Sequence, residues 1–180
     1  MFGHLLIQNA DLVLSDKIVD GDLRVKDGKI SEIAIGGGLD KEKNETVIDA
    51  TGLHLLPGVI DPHVHFREPG HTGKEDLESG SRAAAAGGVT SFLDMPNNNP
   101  NTIDRNTLEQ KISLASKKSI THYGFFIGAT KDNISELQSV QGMDGVCGIK
   151  IFMGSSTGDL LVHEQEHLEN IFANTGGIIA

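Results

Sequence analysis

The sequence predicts an α/β fold: a small β domain over residues 1–57, then strands alternating with helices over residues 58–180. Three observations carry this. The first 57 residues hold short apolar runs separated by Asp, Gly and Asn, the pattern of strands joined by turns. After Pro57, apolar runs of strand length alternate with longer Ala- and Leu-containing stretches, as parallel sheets with crossover helices require. Polar residues stand at the ends of several of these runs, where parallel α/β folds keep their functional groups.

In order, strands are expected at Leu5–Ile7, Leu12–Leu14, Ile18–Val25, Ile30–Ile35 and Val47–Ile48. Asp27-Gly28 between Val25 and Ile30 is a strong hairpin signal, because a two-residue turn of this type needs positive φ at both positions. Gly36-Gly37-Gly38 marks a loop, since three glycines cost too much backbone entropy to sit inside a strand. Pro57-Gly58 gives a turn into a strand running to Phe66. Glu75–Ala86 reads as a helix ended by Gly87-Gly88, and Val89–Met95 as a strand. Leu108–Lys118 reads as a helix with Asp104 and Thr107 as N-cap candidates and Lys117 and Lys118 near its C-terminus. Strand 120–127, helix 133–140, strand 146–152, helix 164–173 and a strand opening at 177–180 complete the pattern. That makes about four βα units and the start of a fifth, whereas a closed (β/α)8 barrel takes ~250 residues. A smaller open α/β fold and the first half of a barrel both satisfy this count.

Composition narrows the function. Hydrophobic residues are 38% and charged residues 22%, a globular balance. A formal net charge of −10, with no compensating Lys/Arg cluster, argues against nucleic acid and anionic membrane as partners. One cysteine, Cys147, excludes an internal disulfide framework and a cysteine-type zinc finger, and makes the reducing cytoplasm the expected location. Met1–Asn9 has no basic segment followed by a long apolar one, so no signal peptide is expected. No segment approaches the ~20 apolar residues of a membrane span.

The densest chemistry lies in Val59-Ile60-Asp61-Pro62-His63-Val64-His65-Phe66-Arg67. Residues two apart in a strand share a face, so His63 and His65 are expected side by side with Asp61 and Arg67. Paired imidazoles are a metal-site signature, although on a strand they also occur as surface decoration. Asp94–Asn97 stand at the end of the next strand, and Lys150 with the Gly154-Ser155-Ser156-Thr157-Gly158 loop at the end of the fourth. Lys150 interrupts an otherwise apolar segment. A buried lysine has a depressed pKa and can take up carbon dioxide as a carbamate; a lysine at a strand edge would instead reach out to water.

The stretches His63–Thr72, Lys74-Glu75-Asp76, Ala86-Gly87-Gly88-Val89-Thr90 and Asp94-Met95-Pro96-Asn97 together resemble the cyclic amidohydrolases, and most of all the dihydroorotases. The resemblance spans the chain. It implies an incomplete (β/α)8 metal-dependent hydrolase barrel, residues 58–180 being its first half. Residues 1–57 would be the N-terminal part of a small β-sandwich-like domain. It further implies His63 and His65 as metal ligands and Lys150 as a carboxylated lysine bridging two Zn2+ ions per complete chain. His65, Arg67 and Asn97 are the implied substrate contacts, Arg67 and Asn97 holding the carboxylate of dihydroorotate. The acid/base aspartate is expected beyond residue 180, so no catalytic residue is assigned and the 180 residues alone are expected to be inactive. The implied reaction interconverts N-carbamoyl-L-aspartate and (S)-dihydroorotate in pyrimidine synthesis, on a small-molecule substrate; a homo-oligomer of the complete chain stays open. Allantoinase-like sequences resemble this pattern but carry a different polar residue at the Arg67 position, and hydantoinase-like ones depart around Glu68-Pro69-Gly70. A non-catalytic scaffold is the remaining alternative, against which the joint presence of His63, His65, Arg67, Asn97 and Lys150 argues. His163-Glu164-Gln165-Glu166-His167 is a literal H-E-x-x-H, but its zinc-protease reading lacks a third ligand downstream.

Overall fold

A computed structural model describes residues 3–155 and 160–180. Ser156, Thr157 and Gly158 of the loop singled out above lie outside the described residues. The chain divides into two compact units, Met1–Pro57 and Gly58–Ala180.

The first unit is a five-stranded sheet: β1 (His4–Val13), β2 (Ile18–Lys26), β3 (Lys29–Ile35), β4 (Glu45–Asp49) and β5 (His54–Leu55). Its order is β3-β2-β1-β4, with β5 also on β1. The hairpin neighbours pair antiparallel, while β4 and β5 run parallel to β1. Asp27 and Gly28 have φ of 51° and 74°, the left-handed pair that the β2–β3 turn demands. Leu5–Ile7 and Leu12–Leu14, expected as two strands, belong to one. The register shifts between Ile7 and Ala10, and Asn9 at φ 61° makes a bulge that carries the strand through a polar interruption. Ala10, Leu12 and Ala50 form the small core, with Ile7, Leu14, Val19, Leu23 and Leu55 packed on it. Asp22, almost fully buried, accepts from the backbone N–H groups of Asn9, Gly38 and Leu39. Burial works to raise its pKa, but these three donors outweigh it and hold the carboxyl below its ordinary value.

The second unit contains β6 (Val59–Val64), α1 (Leu77–Ala86), β7 (Val89–Asp94), α2 (Arg105–Lys118), β8 (His122–Gly128), α3 (Ile134–Ser139), β9 (Val146–Lys150) and α4 (Gln165–Asn174). The strands lie in chain order, β6-β7-β8-β9, every pair parallel. Successive strands are thus neighbours, as in the sequential βα units of a barrel. Ile179 bridges to Ile149 in parallel, and Ile151 N–H donates to the Ala180 carbonyl at 2.9 Å, so the expected strand at 177–180 is present only as an isolated bridge. Phe92, Leu108, Phe125, Ile127, Leu137, Ile149 and Ile171 are central in the core. Asp76 and Asp104 cap α1 and α2 through reciprocal bonds with Ser79 and Thr107. Thr107 therefore sits inside the first turn of α2, and the helix begins three residues earlier than its apolar pattern suggests. No helix among the described residues is long and apolar enough to cross a membrane.

Candidate functional site

The C-terminal ends of β6 and β7 hold most of the polar residues the sequence singles out. His63 and His65 bring their ring centroids within 5.3 Å, tilted by 49°. His63 is exposed and His65 half-buried. The single-face expectation for the whole Asp-x-His-x-His-x-Arg run holds only in part. The strand ends at Val64, Arg67 turns out of it with φ 54°, and the Asp61 carboxylate accepts from the His63 backbone N–H at 3.1 Å. The charge of Arg67 is nonetheless among the causes that lower the His65 pKa.

Asn97, on the turn after β7, places Oδ1 2.7 Å from His65 Nδ1. An amide oxygen only accepts, so the contact requires the proton on Nδ1 and leaves Nε2 with its lone pair free. Burial lowers the His65 pKa, helped by the charges of Arg67 and His63 and opposed by the Asn97 bond and the charge of Asp94. A neutral imidazole oriented through its other nitrogen is the form in which histidine binds metal. His63 and His65 therefore fit two positions of an imidazole-bound Zn2+. Among the described residues no group of three or more His, Cys, Asp and Glu is placed to hold a metal ion.

Lys150 ends β9, three strands across the sheet from β6. It is partly exposed rather than sealed in an apolar strand, with Nζ 5.4 Å from the centre of the Phe152 ring. Neighbouring Cys147 is a half-buried thiol whose pKa burial pushes up to about 12, which makes it a poor nucleophile. His163 precedes α4, which starts at Gln165 after Glu164. The H-E-x-x-H pair thus cannot share a helical face, and His167 instead lies 3.5 Å from Glu164.

The sequence reading gave no role to a buried polar network beneath these groups. Lys111 of α2 and Asp94 of β7 have fully buried side chains 2.7 Å apart. Lys111 Nζ also donates to the Met95 carbonyl at 2.9 Å and to Asn98 Oδ1. Asp94 Oδ1 accepts from Phe66 N–H at 3.0 Å. Asn98 Nδ2 donates to the Glu68 carbonyl; the Glu68 carboxylate accepts from Leu77 N–H at the start of α1 and pairs with Lys118. A signal was available: Lys111 falls three residues after Leu108 and four before Ala115, on the apolar stripe of α2.

A parallel β/α sheet whose first strand ends in a histidine pair defines a partial barrel of the metal-dependent hydrolase type. Residues 54–153 match the Amidohydrolase family, and the chain belongs to that family. It is 41% identical over 159 residues to a dihydroorotase of Methanosarcina acetivorans, covering 88% of this chain and 33% of the relative. It is 40% identical over 149 residues to an allantoinase of Desulfitobacterium hafniense, covering 82% of this chain and 32% of the relative. Among solved structures, an L-hydantoinase (dihydropyrimidinase) from Arthrobacter aurescens superposes with a TM-score of 0.87 at 29% identity, over 99% of this chain and 40% of that one. The chain thus spans about a third of the length of the curated relatives it matches.

Proposed function

We propose that this chain supplies metal ligands and substrate-carboxylate contacts to a dihydroorotase, which interconverts N-carbamoyl-L-aspartate and (S)-dihydroorotate in pyrimidine synthesis. The observation that carries the reading is the His63–His65 pair, with Asn97 bonded to His65, at the ends of two adjacent parallel strands. His63 and His65 would hold Zn2+, with Lys150 as the carboxylated bridge between two ions per complete chain. When bound, such a pair lowers the pKa of a bridging water and polarises the ring amide. Arg67 would take the substrate carboxylate in a two-point fork, fixing orientation as well as affinity. Asn97 holds the His65 proton on Nδ1 through Oδ1, which leaves its amide NH2 for the substrate. The acid/base aspartate and the remaining ligands would come from sequence outside these 180 residues, and a homo-oligomer is compatible with the reading.

Allantoinase is the second reading, favoured by relatives of equal identity. Arg67 is the feature that supports dihydroorotate over allantoin, which has no carboxylate for a guanidinium to take.

The test is zinc content by elemental analysis with parallel ring-opening assays on dihydroorotate, allantoin and hydantoin. It is made on this chain and on any longer product of the same reading frame. The expected result is turnover of dihydroorotate alone by the longer product, with bound zinc that is lost in His63→Ala, and no turnover by the 180 residues. Turnover of allantoin instead would replace the substrate, and a longer product without zinc or turnover would sink the enzymatic reading.

A further inference from the structure

Lys111 Nζ makes its polar contacts at the C-terminal end of β7: it donates to the Met95 carbonyl and to Asn98 Oδ1 and lies 2.7 Å from Asp94 Oδ2 as an ion pair. Phe125 lies under the same Nζ at 4.8 Å. Such a buried charge is a poor way to gain stability, because desolvation offsets most of the Coulomb attraction and an apolar pair of similar volume does as well or better. Its effect is geometric. Both acceptors belong to the turn that carries Asn97, and the ion-pair partner, Asp94, uses its other oxygen to hold the N–H of Phe66, the residue directly after His65. The two ends of the His65–Asn97 hydrogen bond are therefore tied to one ammonium.

We propose that Lys111 is a positioning residue that, with Asp94, locks His65 against Asn97 and so fixes the imidazole tautomer that leaves Nε2 free for a metal. The inference rests on the reading of His65 as a metal ligand. Lys111 itself touches neither metal nor substrate. It acts from the buried face of α2 by holding the loop after β6 and the turn after β7 in one register.

The experiment uses 15N-histidine-labelled, metal-free protein and a long-range 1H–15N correlation spectrum, with the His65 signals assigned from His65→Gln. In the parent protein His65 is expected in one tautomer, protonated on Nδ1. In Lys111→Met the Nε2-protonated tautomer is expected to appear, and Zn2+ affinity, measured by competition with a chromophoric chelator, to fall about 10- to 100-fold, as for loss of outer-shell support at other metal sites. Leu108→Ala damages the core on the same helix and is expected to lower stability while leaving tautomer and affinity alone. Asn98→Ala removes one of the two acceptors and is expected to give the same changes at smaller amplitude; it decides the matter if Lys111→Met does not fold. An unchanged His65 tautomer in the folded variants overturns the proposal, as does an equal change in Leu108→Ala. If the parent binds no Zn2+, the ligand reading fails separately, because the tautomer measurement needs no metal.

Discussion

Arg24 in the β unit and Lys111 in the α/β unit are both nearly inaccessible, 5% and 1% exposed, yet their surroundings differ in kind. Arg24 fans out from β2: Nε to Glu45 at 2.7 Å, Nη1 to Glu32, Nη2 to the Asp40 carbonyl. Glu32 and Glu42, both in ion-pair range of it, have side chains about half exposed, so water shares that load. Lys111 has one carboxylate partner, and neither side chain of that pair touches solvent. The hydrogen bond to Glu45 is the main cause that raises the Arg24 pKa, whereas burial lowers that of Lys111 against the pull of Asp94. A guanidinium with several acidic neighbours stays charged wherever it sits. A lysine with one neighbour keeps its charge only while the local geometry holds, so its site is the more sensitive to disruption.

Three measurements test the contrast. Lys111→Met leaves Asp94 buried without its cation and is expected to cost about 3–5 kcal/mol, read from urea unfolding of the second unit. Arg24→Met is expected to cost the first unit less, because Glu32 and Glu42 relax into water and Glu45 keeps its bond from the Glu42 N–H. Equal losses in the two variants would erase the distinction. The smallest effect is on acidification. Glu45 is held below its ordinary value of 4.5, chiefly by the Glu42 N–H, with burial opposing and Arg24 assisting. Its folded pKa is depressed, so the unfolded chain takes up the proton first. Its stabilisation is present above 4.5 and is lost as pH falls through the lower, folded value. Amide protection factors in β1, β2 and β4, corrected for the intrinsic exchange rate, should therefore fall with acid in that window, and Glu45→Gln should flatten the response.

Much of the architecture was legible because it rests on local chemistry. The Asp27-Gly28 turn needs positive φ, Asp76 and Asp104 supply capping oxygens, and apolar runs after Pro57 alternate with helices at the spacing that parallel strands need. The errors fall where a local rule met a longer-range one. Asn9 reads as a break between two strands, but pairing with β2 carries the strand across it as a bulge. Strict alternation puts Arg67 on the strand face with the histidines, but the chain has already left the strand there. His163 matches a helical motif that begins before its helix does.

For the candidate site, residue types and spacing drew attention to His63, His65, Arg67, the Asp94–Asn97 stretch and Lys150, and the resemblance to cyclic amidohydrolases singled out Asn97 within its stretch. Sequence alone also sets the acidic charge, the lone thiol and the order of strands and helices, all properties of composition or of neighbours along the chain. The tertiary structure decided which groups face each other. Asn97 meets His65 across 32 positions, and Lys111 reaches Asp94 from the next helix. Glu68 joins the starts and ends of three elements at once. A hydrogen bond depends on distances of a few tenths of an ångström and on direction, and such distances exist only after β6, β7 and α2 have packed.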